Sequence, residues 1–273
     1  SVLDASIGYR ANDDVNLSVF NDDEKSDNLL RGNLGFSKIY QFDQGIADYT
    51  RLNIGANIEL QDYNEFDGLD RVNPGVSLGL THKFGLGPSA PWASLHASGV
   101  VENVDDSDRD KNIINAGIRL GKRFTPRFDA SIDWSHEKTN GKDDLPVITS
   151  GLPSNVYDLE RSIFTALGNY QVTPRFLGSI RYSYLNGDLS GECTVENVGF
   201  LLKVIDVTAH TLDRTFNGCR YRFDGYANIL GLSGSYALGP HTAINFGSVW
   251  SKGGVRRWLY RKNQLFVNFS YRR

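Results

Sequence analysis

The chain has 273 residues, of which 40% are hydrophobic and 22% charged, and a formal net charge of -3, so its length permits one large β domain or two smaller domains. No apolar stretch approaches the roughly 18 residues that a membrane-crossing helix needs, and no basic block is present to follow a nucleic-acid backbone. What remains is a soluble fold or a β-barrel, whose alternating lipid-facing and lumen-facing residues keep the mean hydropathy close to that of a soluble protein.

Taken in chain order, period-two alternation predicts strands near 2–11, 15–21, 29–42, 46–60, 71–85, 91–103, 111–124, 127–138, 158–172, 175–187, 220–237, 241–251 and 255–272. In the fourth, Thr50, Leu52, Ile54, Ala56, Ile58 and Leu60 share one face, and Arg51, Asn53, Gly55, Asn57 and Glu59 share the other. The same pattern sets Val76, Leu78 and Leu80 against Ser77, Gly79 and Thr81, and Phe128, Ala130, Ile132 and Trp134 against Asp129, Ser131, Asp133 and Ser135. Such runs exceed the usual soluble strand of about five or six residues and match the roughly 9–11 that a tilted strand uses to cross hydrocarbon.

The connections fall into two alternating sets. Asn12-Asp13-Asp14, Asp43-Gln44-Gly45, Gly85 to Pro91, Thr125-Pro126-Arg127, Thr173-Pro174-Arg175 and Leu238-Gly239-Pro240 are short, whereas 61–70, 103–110, 139–157 and 188–219 are long. Short turns at one end and long loops at the other are expected of an outer-membrane barrel, with the long set extracellular. The pattern predicts an all-β, transmembrane, antiparallel up-and-down barrel of about 12–14 strands, forming a single domain over residues 1–273. Counted this way the strands number about thirteen, although bacterial single-chain barrels are normally even. A further segment before Ser1, or a count wrong by one, is therefore expected. No secretory leader is visible at Ser1, so any leader is expected to lie outside this sequence.

Two hairpins repeat each other: Phe124-Thr125-Pro126-Arg127-Phe128 recurs as Val172-Thr173-Pro174-Arg175-Phe176. Aromatic residues gather near strand ends, among them Tyr40, Phe42, Trp92, Phe124, Phe128, Tyr170, Phe176, Tyr236 and Trp250, as interfacial girdles require. The segment from Tyr170 to Tyr184 and the last strand, Leu265-Phe266-Val267-Asn268-Phe269-Ser270-Tyr271, resemble the hairpins and C-terminal strand of Gram-negative outer-membrane barrels of the porin-like kind. That strand ordinarily ends on an aromatic residue; here Arg272 and Arg273 follow. The resemblance implies a bacterial outer-membrane location, with lipid and lipopolysaccharide as surroundings.

With the apolar faces turned to lipid, the lumen is expected to receive Arg10, Arg31, Arg51, Glu59, Lys83, His96, Glu102, Arg119, Asp129, Asp133, Glu137, Arg181, Arg222 and Asp224. Arg119 is placed to pair with Asp129 or Asp133 across a hairpin, for about 0.2–1 kcal/mol. These charges either brace the interior or select permeants.

Catalysis finds little support. His96 and Ser98 share a strand face, the spacing of outer-membrane phospholipases, with Asn112 or Asn115 as the orienting partner, but that face is the lumen's and not the lipid's. In Ser135-His136-Glu137, adjacent residues point to opposite faces. The five histidines are scattered, two cysteines cannot complete a zinc site, and no glycine-rich phosphate cradle follows a strand, so neither metal nor cofactor is expected.

A channel for small polar solutes is the expected function. The alternatives are the barrel of an export or assembly machine, with periplasmic or outer-membrane protein partners, and an outer-membrane hydrolase; nucleic acid is not expected as a partner. Cys193 and Cys219 flank strands that should be hairpin neighbours and are expected to form a disulfide closing the 188–219 loop. Its apolar run, Val198 to Val207, is expected to fold inward as a constriction or cap, with an external hairpin or partner site as the alternative, so that deleting 196–210 should raise conductance.

Overall fold

The computed structural model describes residues 1–20, 23–43, 48–142, 144–147, 151–255 and 258–273. Its strands are β1 (Val2–Asn12), β2 (Asp27–Asp43), β3 (Tyr49–Tyr63), β4 (Arg71–Lys83), β5 (Trp92–Val104), β6 (Lys111–Thr125), β7 (Phe128–Asn140), β8 (Leu159–Thr173), β9 (Phe176–Cys193), β10 (Val207–Asp213), β11 (Gly218–Ala237), β12 (Thr242–Val255) and β13 (Trp258–Arg272). One helix, α1 (Val198–Val204), lies between β9 and β10. Neighbours pair antiparallel throughout, β13 pairs with β1, and β9 pairs directly with β11, so twelve strands close a ring, while β10 stands outside it on β11.

Alternation sets which residues face outward, and register lines them up. Leu80, Leu95, Ile118, Trp134, Phe164 and Tyr184 are successive cross-strand partners from β4 to β9, and all six are exposed. The row inside, one residue removed, is polar: Thr81, Ser94, Arg119, Asp133, Thr165 and Ser183. An apolar belt around a polar interior is the inverse of a soluble core and suits a barrel surrounded by hydrocarbon.

The chain ends meet where Leu3 and Arg273 exchange backbone hydrogen bonds of 2.7 and 2.9 Å, at the same end as the turns after β4, β6, β8 and β11. Gln44 and Gly45 of the turn after β2 lie outside the described residues. The two Thr-Pro-Arg turns use one device. Thr125 Oγ1 accepts from the Arg127 and Phe128 amides at 3.3 and 3.0 Å, and Thr173 Oγ1 accepts from those of Arg175 and Phe176 at 3.3 and 3.1 Å. Both hairpins carry a register irregularity at the same place, after Arg123 and after Gln171.

Of the strand expected at 15–21, residues 15–20 are described and form none, and this corrects the count from thirteen to the even number twelve. Asn12-Asp13-Asp14 is consequently not a short turn: Asn12 ends β1, and Asp13 and Asp14 start a loop at the long-loop end. Alternation of Val15, Leu17 and Val19 imitates a strand, but Leu17 takes a positive φ of 53°. Short polar side chains then replace the ladder: Asn16 Nδ2 donates to the Asp23 carbonyl at 2.7 Å, and Asn16 Oδ1 accepts from the Lys25 amide at 2.8 Å.

A polar lumen beneath a folded leaf

Above Gly187, β9 loses its pairing with β8, and above Tyr226, β11 loses its pairing with β12. The freed ends stay paired to each other, and β11 pairs on its other edge with β10, forming a three-stranded leaf that leaves the ring. Gly187 marks the departure: its φ of +128°, with the Glu160 carbonyl lying where a Cβ would stand, excludes any larger residue. Much of the expected 188–219 loop is thus strand, in β9, β10 and β11. The alternation of β10 is too short to stand out beside the apolar run before it.

The leaf crosses the barrel mouth. β9 and β11 sit six places around the twelve-strand ring from β3 and β4, yet the tip between β10 and β11 reaches loops on that far side. Phe216 packs at a tilt against Phe66 of the β3–β4 loop with centroids 4.8 Å apart, and Thr215 Oγ1 donates to Asp106 of the β5–β6 loop at 2.8 Å. From the same loop, buried Arg109 donates to Glu192 on β9 at 3.2 Å and to Asp213 at the end of β10. Arg220 completes the cluster on Glu192 and lies 4.8 Å over the Tyr157 ring.

The other face of the leaf is apolar. Leu185, Leu189, Cys193, Cys219, Tyr221 and Phe223 pack with Val198, Leu201 and Ile205 of the α1 segment, with Val19 and with Tyr260 of β13 in one buried cluster. Cys193 and Cys219 are register partners joined by a disulfide, with Cα atoms 5.1 Å apart; closing a loop of this length contributes about 3 kcal/mol in the chain-entropy picture. The free edge of β10 is covered by the loop after β7, through Leu212 N to Pro146 O at 2.9 Å and His210 N to Pro153 O at 3.0 Å.

Below the leaf, the upper lumen is filled by ion pairs between neighbouring strands. Arg31 pairs with Glu59, Lys111 and Arg71 both reach Glu102 at 2.5 and 3.6 Å, and Arg161 pairs with Glu137 at 2.5 Å. Arg10 and Arg31 border an internal cavity of about 140 Å³. Towards the short-turn end the lumen widens into a cavity of about 870 Å³, bordered by Arg51, Lys83, His96, Arg119, Arg123 and Asp129. Arg119 Nε donates to Asp133 at 2.9 Å, and Asp129 accepts from Asn169 at 2.9 Å. Arg181 takes the inward parity of β9 between Leu167 and Gly231.

Arg222 and Asp224 lie elsewhere than expected. Both share the parity of outward-facing Leu230 and Leu232, and both sit in the part of β11 that has left the ring; Arg222 donates to Thr208 Oγ1 at 3.1 Å and to the Asn155 carbonyl at 3.2 Å. Of the residues weighed for catalysis, His96 has Asp133 at 3.7 Å, and Asn115 donates to Ser135 at 3.4 Å. Among the described residues, no group of three or more His, Cys, Asp or Glu is placed to hold a metal ion.

Sequence reasoning missed Arg109, Glu192, Asp213, Arg220 and Tyr157. Their charges stand in loops or on the leaf, where no alternation predicts burial. Burial pushes the Glu192 carboxyl well up, opposed by Arg220 and Arg109 and reinforced by Asp213; burial also pushes the Asp213 carboxyl up, but the charge and hydrogen bond of Arg109 outweigh it and hold Asp213 low.

Asp14, in the loop after β1, is fully buried, and burial raises its pKa to about 7, against the Ser18 amide hydrogen bond and the charge of Lys262, with Glu24 adding to the rise. An acid whose folded pKa is raised binds its proton more tightly when folded. The loop's stability is therefore complete below about pH 4 and declines as pH rises towards 7. Amide exchange at Ser18 and Phe20, corrected for intrinsic rates, should quicken across this window in the native protein, and Asp14→Asn should flatten the dependence. An unchanged profile in the variant would remove Asp14 as the cause.

No family model matches the chain, and no curated protein does. Solved structures do share its fold. It aligns with an outer-membrane channel from Pseudomonas putida F1 at TM-score 0.57 and 8% identity, covering 100% of this chain and 95% of that one. It aligns with the NanC porin at TM-score 0.50 and 10% identity, covering 98% of each.

Proposed function

We propose that the protein is a channel for small polar solutes in a bacterial outer membrane, closed at its extracellular mouth by the leaf. In this reading the short turns are periplasmic, the apolar belt faces lipid, and the long-loop rim meets lipopolysaccharide. The carrying observation is the combination of a polar lumen, widened at the short-turn end, with a leaf tip docked on loops across the opposite mouth. Passage requires the leaf to move.

Deleting 196–210 would cut through β10, so the better variant replaces residues 194–218 by Asn-Gly, a two-residue hairpin link, between the register partners Cys193 and Cys219. In planar bilayers the native barrel should be mostly closed, and the shortened one should conduct steadily. Equal conductance from two correctly folded proteins would refute the leaf as the barrier. A docked leaf also favours the export or assembly reading, in which a periplasmic partner opens the barrel. Under that reading the native protein copurifies with such a partner and conducts only in its presence.

A further inference from the structure

At the short-turn end of the lumen, Tyr49, Lys83, Trp92 and Gly121 form a single cross-strand row over β3, β4, β5 and β6. The Trp92 indole lies over Gly121, filling the space that a side chain there would need. Arg51, two residues from Tyr49 and diagonal to Lys83, joins it on the same ring: the guanidinium is 4.6 Å and the ammonium 5.6 Å from the Tyr49 centroid. Arg123 borders the same cavity two residues beyond Gly121.

Diagonal neighbours on one sheet face are close enough to interact, and like charges so placed repel. Elsewhere in the lumen such repulsion is relieved by carboxylates, as at Arg31, Arg71, Lys111 and Arg119. Among the residues whose side chains are described, no carboxylate lies within 4.0 Å of the charged nitrogens of Arg51, Lys83 or Arg123. Arg51 instead donates to the neutral Gln41 at 3.1 Å. Arg51 and Lys83, without ion-paired carboxylates, thus converge beside an indole on a cavity of about 870 Å³, and Arg123 borders that cavity with its register partner Asp129, which is bonded to Asn169.

We infer that this cavity is a binding site for small organic anions, whose carboxylate or phosphate group is held between Arg51, Lys83 and Arg123 while the rest of the solute lies on Trp92. A guanidinium supplies a planar pair of donors and the ammonium a compact charge, and the aromatic face accepts the less polar side of the solute. The inference rests on the channel reading for its physiological meaning, but binding itself does not require a conducting pore.

The test titrates citrate, and separately inorganic phosphate, into the refolded barrel while following tryptophan fluorescence, with Trp92→Phe identifying the responding indole. Saturable quenching by citrate is expected in the native protein, weakened about ten-fold or more in Arg51→Gln/Lys83→Gln and reduced at high salt. The retained heat-modifiable gel shift of a folded barrel would establish that the variant folds; should it fail, Lys83→Gln alone serves. Citrate binding with little response to phosphate supports an organic-anion site, and the reverse would reassign it to inorganic phosphate. No saturable response to either anion overturns the inference while leaving the channel reading intact. Saturable binding by a barrel that never conducts, even when shortened between the cysteines, preserves the site and defeats the channel.

Discussion

Arg109→Met is expected to loosen the leaf by about 3–5 kcal/mol, because it leaves buried Asp213 without its ion-pair partner and Glu192 with Arg220 alone. At the lower figure the undocked population rises by more than about a hundred-fold. It should be visible as faster amide exchange at Tyr221 and Thr211 and as a higher open fraction in bilayers. Arg214→Met is the control. Arg214 lies 3.7 Å from Asp108 in the same region but is 74% exposed, and an exposed pair of that kind contributes at most about 1 kcal/mol. Equal effects from the two substitutions would mean that the leaf is not held at Arg109.

Ile54→Arg and Ile132→Arg are expected to destabilise the inserted barrel by about 2–4 kcal/mol when the site lies near the midplane of the bilayer. Both side chains are exposed on the outer belt, at 46% and 48%, so an arginine there must enter hydrocarbon. Asn57→Arg and Ser131→Arg place the same group on the inner parity, where water and other charges receive it. Urea titration of refolding into lipid vesicles separates the cases. Comparable losses on the two faces would invert or abolish the assignment of inside and outside.

These faces were legible because alternation is local: Thr50 to Leu60 carries the pattern in its own sequence, and register only aligns it with neighbouring strands. The turns were legible where proline or glycine enforces them, as in the two Thr-Pro-Arg hairpins. The 13–26 loop was not, since Val15, Leu17 and Val19 repeat with the period of a strand while Asn16 and Asp23 satisfy the backbone in another way. The disulfide could be anticipated from its flanking strands. The site it braces could not, because Arg109 meets Glu192 and Asp213 across 83 and 104 residues of sequence, and nothing local marks those charges for burial. The row of Tyr49, Lys83 and Trp92 was hidden for a related reason. Lys83 and Trp92 were each legible singly, as an inward charge and an aromatic near a strand end, but only the register of three strands brings them together with Tyr49.

The most direct test is to tether the leaf. A Cβ on Gly68 would lie 3.3 Å from the Thr215 Cβ, close to the separation of bridged cysteines, so Gly68→Cys with Thr215→Cys should crosslink on oxidation and fix the hairpin tip to the far wall. The crosslink should form in high yield, and the locked barrel should stay closed in bilayers until reductant is added. Conductance should then rise to the level of the native protein under the same reductant. A pair that fails to crosslink in a folded barrel, or a locked barrel that conducts as freely as the reduced one, would contradict a leaf that closes the mouth.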